Sequence, residues 1–553
     1  MKSALTDLQF QLAWNRLLAI VEEQAQVLMR TAFSTVVREA GDLSAGVFDT
    51  KGQMLAQAVT GTPGHVNAMA RAVGNFLVVH PLGKLKEGDV LLTNDPWLAT
   101  GHLNDFTVVT PVFQRNRPVA LFASTSHIAD VGGRGFGPDA NEVFEEGLRV
   151  PITHLFKKGD LNQTLMELVK ANVRDPVIAE GDLYSLTTCN QSGSTQLLET
   201  MEEFGLDSLS DLGSSILQLS KSAMEQEISK LPNSTYRHSM TVDGYDEPVE
   251  IQCALTINAK DILIDFSGSS GISDFGINVP LPYTEAYASF GVRCLVGNEI
   301  PNNAGSLETI RVTAPEHCIL NAKPPCAVSA RHALGQMLPD VVIACLGEAL
   351  NGEVPAEGAS CIWNPVFMSL NTPNVNAPSD QFVINPIFNG GTGARINRDG
   401  LSTTAFPSGV RTTPTEVNEV TAPLIFWERE FLQDSGGEGE YQGGAGQRIQ
   451  IEHVHGAPFA ISKMFDRVNH PARGKDGGQP GSRGRVYLRG GEQFRGKGKE
   501  KIPGGEILVL ETPGGGGSGS PTQRNPELVS RDVKNGLISK TEASRIYGYT
   551  SQD

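Results

Sequence analysis

The chain has 553 residues, 39% of them hydrophobic and 19% charged, with a formal net charge of -17. So acidic a chain repels nucleic-acid phosphates, and no run of roughly eighteen apolar residues is present to span a bilayer, so neither nucleic acid nor membrane is an expected partner. The length exceeds what one hydrophobic core holds and predicts roughly three to four domain-sized units, while 60 glycines and 32 prolines predict many turns, short strands and loop-built sites.

In chain order, Thr6 and Gln9 form a capping-box pattern. Phe10, Trp14, Leu17, Leu18, Val21, Ala25 and Leu28 then recur at helical spacing and predict a long amphipathic helix. Asp7, Gln9 and Gln11 interrupt any apolar stretch in MKSALTDLQFQLAW, which therefore reads as neither a signal nor a transit peptide. Leu43 to Phe48 and Gln53 to Ala56 flank Asp49-Thr50-Lys51-Gly52 and predict a hairpin with Gly52 at positive φ. A helix over Val66 to Val79 follows, then strands over Val90 to Thr93, Phe106 to Phe113 and Pro118 to Thr125.

A helical stretch from about Leu161 to Lys230 gives way near Ser239 to short strands and turns. From Glu428 to Gly519 the chain is dense in glycine, so backbone geometry dominates there. Pro526, Gly536 and the pair Ser539 and Glu542 mark two closing helices. The expected class is α+β, a multi-domain fold of mixed sheets opened by a long helix, with a glycine-rich, strand-rich C-terminal half. The regions are 1–238 (metal-binding), 239–427 (mixed) and 428–553 (glycine-rich strands with a helical tail). The seven cysteines include no CxxC pair and read as reduced and mostly buried, with the cytoplasm as the expected compartment.

Chemistry concentrates in NDPWLATGHLNDFTVV, Asn94 to Val109, and SHIADVGG, Ser126 to Gly133. His102 and Asp105 lie in a loop between two predicted strands, and His127 and Asp130 emerge at the end of the next strand, where consecutive elements are usually neighbours. Two imidazoles and a carboxylate on one loop cluster make an open divalent site, to which Asp42 can add a further oxygen. The plain alternatives are hydrogen-bonded histidines at strand ends and turn-capping aspartates.

Nucleotide motifs fail on context. Gly491-Glu-Gln-Phe-Arg-Gly496-Lys497 lacks the following Ser or Thr and opens no helix, and Gly514 to Gly519 matches GxGxxG only because nearly every residue is glycine. His453 and His455 alternate as in a strand and read as structural or surface residues.

With these residues in place, the chain resembles the hydantoinase B family, which includes the smaller subunits of N-methylhydantoinase and caprolactamase, the matching half of 5-oxoprolinase, and related subunits of acetone and acetophenone carboxylases. The resemblance spans essentially the whole chain through REAGDLSAGVFD, NDPWLATGHLND, SHIADVGG, EVFEEGLRVP, NVRDP, DFSGSS, GGTGAR, DSGGEGEYQGG and PGGGGSGSPTQRNPE. It implies a hetero-oligomer in which a hydantoinase A type subunit binds ATP and phosphorylates the oxygen of a small cyclic amide such as a hydantoin, a lactam or a 5-oxoproline-like ring. This chain then completes the hydrolysis.

The same resemblance places the metal ligands on His102, Asp105 and His127, with Asp42 also at the centre and the ion being Zn, Mn or Fe. Asp42 or Asp130 is the expected base or water-orienting residue. Three departures stand out: Ala99-Thr100-Gly101 before the His-x-x-Asp, Ile128 after His127, and Gln442 in place of an arginine. Trp97, Ile128 and the Ala99 to Gly101 loop are expected to border the metal. The rival readings are a ketone carboxylase subunit and a noncatalytic scaffold for the partner.

Overall fold

The computed structural model describes residues 5–370 and 381–550; the first four residues of the stretch read as lacking a leader, and the last three of the 428–553 region, lie outside them. The Thr6–Gln9 capping box closes on α1 (Asp7–Thr31), which buries Ala13, Leu17, Ile20, Val21, Ala25 and Leu28 along one stripe. After the short α2 (Thr35–Arg38), β1 (Leu43–Phe48) and β2 (Met54–Gln57) make the expected hairpin, with Gly52 at φ 81°. α3 (Pro63–Val79) starts ahead of the expected Val66, because Pro63 sits where a missing N–H costs nothing.

β3 (Val90–Thr93), β4 (Asp105–Gln114), β5 (Arg117–His127), β6 (Thr153–Lys157) and β7 (Asp160–Leu161) complete a seven-stranded sheet in the order β2-β1-β5-β4-β3-β6-β7. α4 (Gln163–Asn172), α5 (Pro176–Glu203) and α6 (Ser210–Ser229) follow. Phe122 and Val112 pack with α1, while Leu121, Val109 and Ala123 pack with Met69 and Phe76 of α3. Burial on both faces explains why these strands read as near-continuous apolar runs. Gln24 of α1 and Asn190 of α5 lock the helices to the sheet: Gln24 donates to Asn190 Oδ1 (2.8 Å) and the Ala123 carbonyl (3.1 Å).

The next sheet, β11-β10-β9-β8, is built from β8 (Thr235–Val242), β9 (Val249–Asn258), β10 (Asp261–Asp265) and β11 (Ile310–Thr313). β8 begins just before the texture change expected at Ser239. Between β10 and β11 lie α7 (Leu281–Arg293) and α8 (Ala304–Glu308), and α9 (His332–Gly335) and α10 (Leu338–Ala349) come after. The remaining sheets are β13-β12-β16-β18 and β14-β15-β19-β17. They are formed by β12 (Val366–Ser369), β13 (Val383–Ile384), β14 (Leu424–Phe431), β15 (Gln447–His453), β16 (Phe459–Met464), β17 (Arg485–Leu488), β18 (Lys497–Ile502) and β19 (Leu508–Glu511). One apolar core, including Met224, Phe266, Leu338, Trp363 and Leu510, runs through both the 239–427 and the 428–553 stretches. The architecture is α+β, and among the described residues no helix is long and apolar enough to cross a membrane.

The glycine-rich segments form a close-packed bundle of extended chain. Gly515 donates to the Gly444 carbonyl (3.0 Å), Gly444 to Thr392 (2.8 Å), Gly437 to Gly515 (2.8 Å) and Gly516 to Glu357 (2.9 Å). Space, not φ, demands glycine here: a Cβ on Gly515 would lie 1.9 Å from the Thr392 carbonyl oxygen, and one on Gly443 would lie 1.9 Å from that of Gly515. Both obstacles are backbone, which cannot swing aside as a side chain would. Gly515→Ala should therefore lose about 4 kcal/mol or more of stability and much of its soluble yield. Gly74→Ala, inside α3 with nothing within 4 Å of the new methyl, should gain about 0.5–1 kcal/mol. Denaturant midpoints of the two variants check this; equal midpoints would contradict the packing argument.

Candidate metal centre

Three strand ends meet at one point. The two-residue turn Arg115-Asn116 takes positive φ at both positions (50° and 62°), the geometry that matches strand twist, and it sets a β4–β5 register in which Asp105 pairs with His127. β1 lies on the other side of β5 with Leu43 opposite Ser126, and the His127 N–H donates to the Asp42 carbonyl (3.2 Å). His102 reaches the same point from the loop preceding β4. One donor atom each of His102, Asp105 and His127 lies within 4.8 Å of the others, and all three residues are buried.

Asp105 is fully buried and each of its oxygens is contacted twice. Oδ1 is 2.6 Å from His102 Nε2 and 3.2 Å from His127 Nδ1; Oδ2 is 2.8 Å from His65 Nε2 and 2.5 Å from Arg331 Nη2. Burial would raise its pKa, but the charges that face it, with His65 and Arg331 at Oδ2, outweigh it and hold the carboxyl well below its usual range. His65 shows the balance in reverse: burial lowers it, and Asp105 and Asp42 overcome that, so its pKa is raised.

His102 carries the test of whether a cation fits. Its Nδ1 lies 3.0 Å from the Ser329 carbonyl, which can only accept, so Nδ1 holds the proton and neutral Nε2 presents a lone pair. That lone pair stands 2.6 Å from a carboxylate oxygen without hydrogen-bond geometry, and Nε2 has no other partner. Two lone pairs so close repel unless a cation lies between them. A proton is disfavoured, because burial and then the Arg331 guanidinium push the imidazole down to about 3. His127 Nε2 is likewise buried without a hydrogen-bond partner. A bare His102 nitrogen, an unpartnered His127 nitrogen and an ionised carboxylate make the donor set that a divalent ion takes. Glu146 supports it from behind: its Oε1 accepts the N–H groups of Val328 and Ser329 (2.7 Å each), fixing the carbonyl that orients His102, and burial pushes this carboxyl up to about 8.

Asp42 lines the same cavity, with Oδ1 3.6 Å from His65 Nδ1, but it faces His65 and is outside the set of three donors. Asp130 does not reach the centre. It accepts the Gly132 N–H (3.1 Å), the Arg174 guanidinium (2.6 Å) and the Arg174 N–H, so its carboxylate is spent on the turn after β5. Trp97 also lies apart, donating to the Ala322 carbonyl (2.8 Å) in another pocket, whereas the Thr100 carbonyl does border the site by accepting from Arg331 Nε (2.6 Å). Ile128 lines neighbouring pockets instead.

Among the cavity residues not anticipated from the sequence are His65, Arg331, His332 and Phe136. For His65 the available signal was Thr-Pro-Gly-His at a helix start; for Arg331 and His332 it was an adjacent Arg-His opening a helix. Elsewhere, Lys497 of the phosphate-loop lookalike is buried on β18 and bonded to Asp466 (2.7 Å) and the Asp243 carbonyl (2.8 Å), which keeps it from a phosphate. His453 Nδ1 accepts the His455 N–H (3.2 Å) at the end of β15.

A model of the hydantoinase B/oxoprolinase family matches residues 6–521. The chain is 30% identical over 540 residues to 5-oxoprolinase 1 of Arabidopsis thaliana, covering 92% of this chain but 41% of that protein. It is 26% identical to the caprolactamase subunit beta of Pseudomonas jessenii, covering 95% of this chain and 93% of that one. The crystal structure of the ATP-dependent caprolactamase from Pseudomonas jessenii superposes with a TM-score of 0.89 at 22% identity, over 100% of this chain and 97% of that chain, a likeness of fold. By the extent of the family match and the motifs that carry it, this chain belongs to the hydantoinase B/oxoprolinase family.

Proposed function

We propose that this chain is the subunit that completes the ATP-dependent hydrolysis of a small cyclic amide, such as a hydantoin, a lactam or a 5-oxoproline-like ring. A separate hydantoinase A type subunit would bind ATP and phosphorylate the amide oxygen; relatives named as a subunit beta and as an ATP-dependent caprolactamase support that division. An unstrained amide resists water because nitrogen donates into its carbonyl, and a phosphorylated oxygen removes that resistance. The observation that carries the reading is the unresolved lone pair of His102 Nε2 against Asp105, which a divalent ion (Zn, Mn or Fe) relieves.

His102, Asp105 and His127 would hold such an ion, which when bound would supply the Lewis acidity that makes a water reactive at neutral pH. The chain's own residues do the rest. Arg331 keeps Asp105 anionic, and Ser329 keeps His102 in the tautomer that bares Nε2. His65 Nδ1, buried without a hydrogen-bond partner and facing Asp42, is placed to hold a proton released in the cavity. Tyr283, Ile362, Val410 and Phe136 line the cavity with largely apolar surface. Bicarbonate-dependent turnover of a ketone would select the carboxylase reading instead.

Purified without a partner, the chain should neither bind ATP at micromolar concentration nor hydrolyse it; isothermal titration showing such affinity would contradict the division of labour. In the assembled enzyme, His102→Ala and His127→Ala should each lose bound metal together with product, while ATP consumption persists uncoupled. His453→Ala should keep all three. Full metal occupancy with normal product in either ligand variant would rule out the centre, and normal product after loss of the metal would favour the scaffold reading.

A further inference from the structure

The cavity at the centre is too small for a ring. It measures about 20 Å³, the room of roughly one water, whereas a second pocket beside it measures about 640 Å³, within the range of about 300–1,000 Å³ that holds small molecules. The larger pocket is lined by Ile128, Asp130, Arg174, Ile178 and Phe382 among others, and Phe136 is the one described residue that lines both. The phenyl ring of Phe136 stands 5.0 Å from the His127 ring, 5.6 Å from His102 and 5.7 Å from His332.

Phe136 is held by its neighbours. Arg134 donates its N–H to the Glu145 carbonyl (2.9 Å) and its guanidinium pairs with the Glu145 carboxylate (2.5 Å), while Gly137 donates to Ser329 Oγ (3.4 Å). Gly135 takes φ 83° and, its chain neighbours aside, has no atom within 4 Å of where a Cβ would stand. In the larger pocket Asp130 pairs with Arg174 and Arg134 with Glu145, and Asp175 and Lys499 share the wall with the apolar side chains of Ile128, Ile178 and Phe382. We infer that Phe136 is the specificity-determining partition of this enzyme: the cyclic amide sits in the 640 Å³ pocket and presents its carbonyl to the centre past the Phe136 edge, so that this side chain sets which ring sizes react. The inference rests on the function proposed above, but its test separates the two.

Phe136→Ala and Phe136→Leu would be prepared, each assembled with the ATP-binding partner and loaded with Zn²⁺. Two quantities would be read: the rate at which pyridine-2,6-dicarboxylate strips Zn²⁺, and kcat/KM for lactams of increasing ring size. The alanine variant should lose Zn²⁺ about tenfold faster at unchanged starting occupancy, and its preference between the largest and smallest rings should move by about tenfold toward the largest, with leucine intermediate. Stripping rates and ring preferences within about twofold of the parent in both variants would overturn the partition. If the parent assembly turns over no cyclic amide, the function proposed above falls, and the stripping rate still decides whether Phe136 screens the centre.

Discussion

A single buried carboxylate gathers three histidines and an arginine at one point of this fold. Asp105 is fully buried, and it persists as an anion because one oxygen faces His65 and Arg331 while the other faces His102 and His127. Removing one partner of such a buried pair costs about 3–5 kcal/mol, since the other charge is left uncompensated. Asp105 and its imidazoles belong to the seven-stranded sheet and its helices; Arg331 and the Ser329 carbonyl belong to the turn entering α9, which is part of the other core. The carboxylate thereby ties two bodies of the fold together at the point where chemistry is expected.

The precision of the site descends from backbone register. A slip of one residue in the β4–β5 pairing would turn Asp105 and His127 to opposite faces, because strand side chains alternate. The positive-φ turn at Arg115-Asn116 and the Gln24–Asn190 clasp oppose that slip. Behind the site, Glu146 holds the Val328-Ser329 backbone through two N–H groups, so His102 is oriented by a chain that runs from a carboxyl through a peptide to an imidazole.

Much of this was legible in the sequence, for physical reasons that can be named. The apolar runs at 90–93, 106–113 and 118–125 marked strands because both faces of that sheet are covered, and the Thr6–Gln9 pattern marked the start of α1 because the cap is local. His102, Asp105 and His127 stood out because consecutive strands are neighbours. What stayed hidden is long-range. Arg331 meets Asp105 across 226 positions, and no periodicity connects them. Asp130 resembled a catalytic carboxylate until Arg174, 44 residues on, claimed it. The glycine-rich composition announced backbone control, but that Gly515 threads against Thr392 and Gly444 is a tertiary fact.

His102, Asp105 and His127 would together hold one divalent ion. Diffraction from crystals of the purified protein, recorded on both sides of the absorption edges of zinc, manganese and iron, tests it without reference to any substrate. One anomalous peak at bonding distance from those three side chains is expected, with Arg331 still paired to Asp105. No peak there, with the His102 and Asp105 atoms instead bridged by a proton or drawn apart, would contradict it.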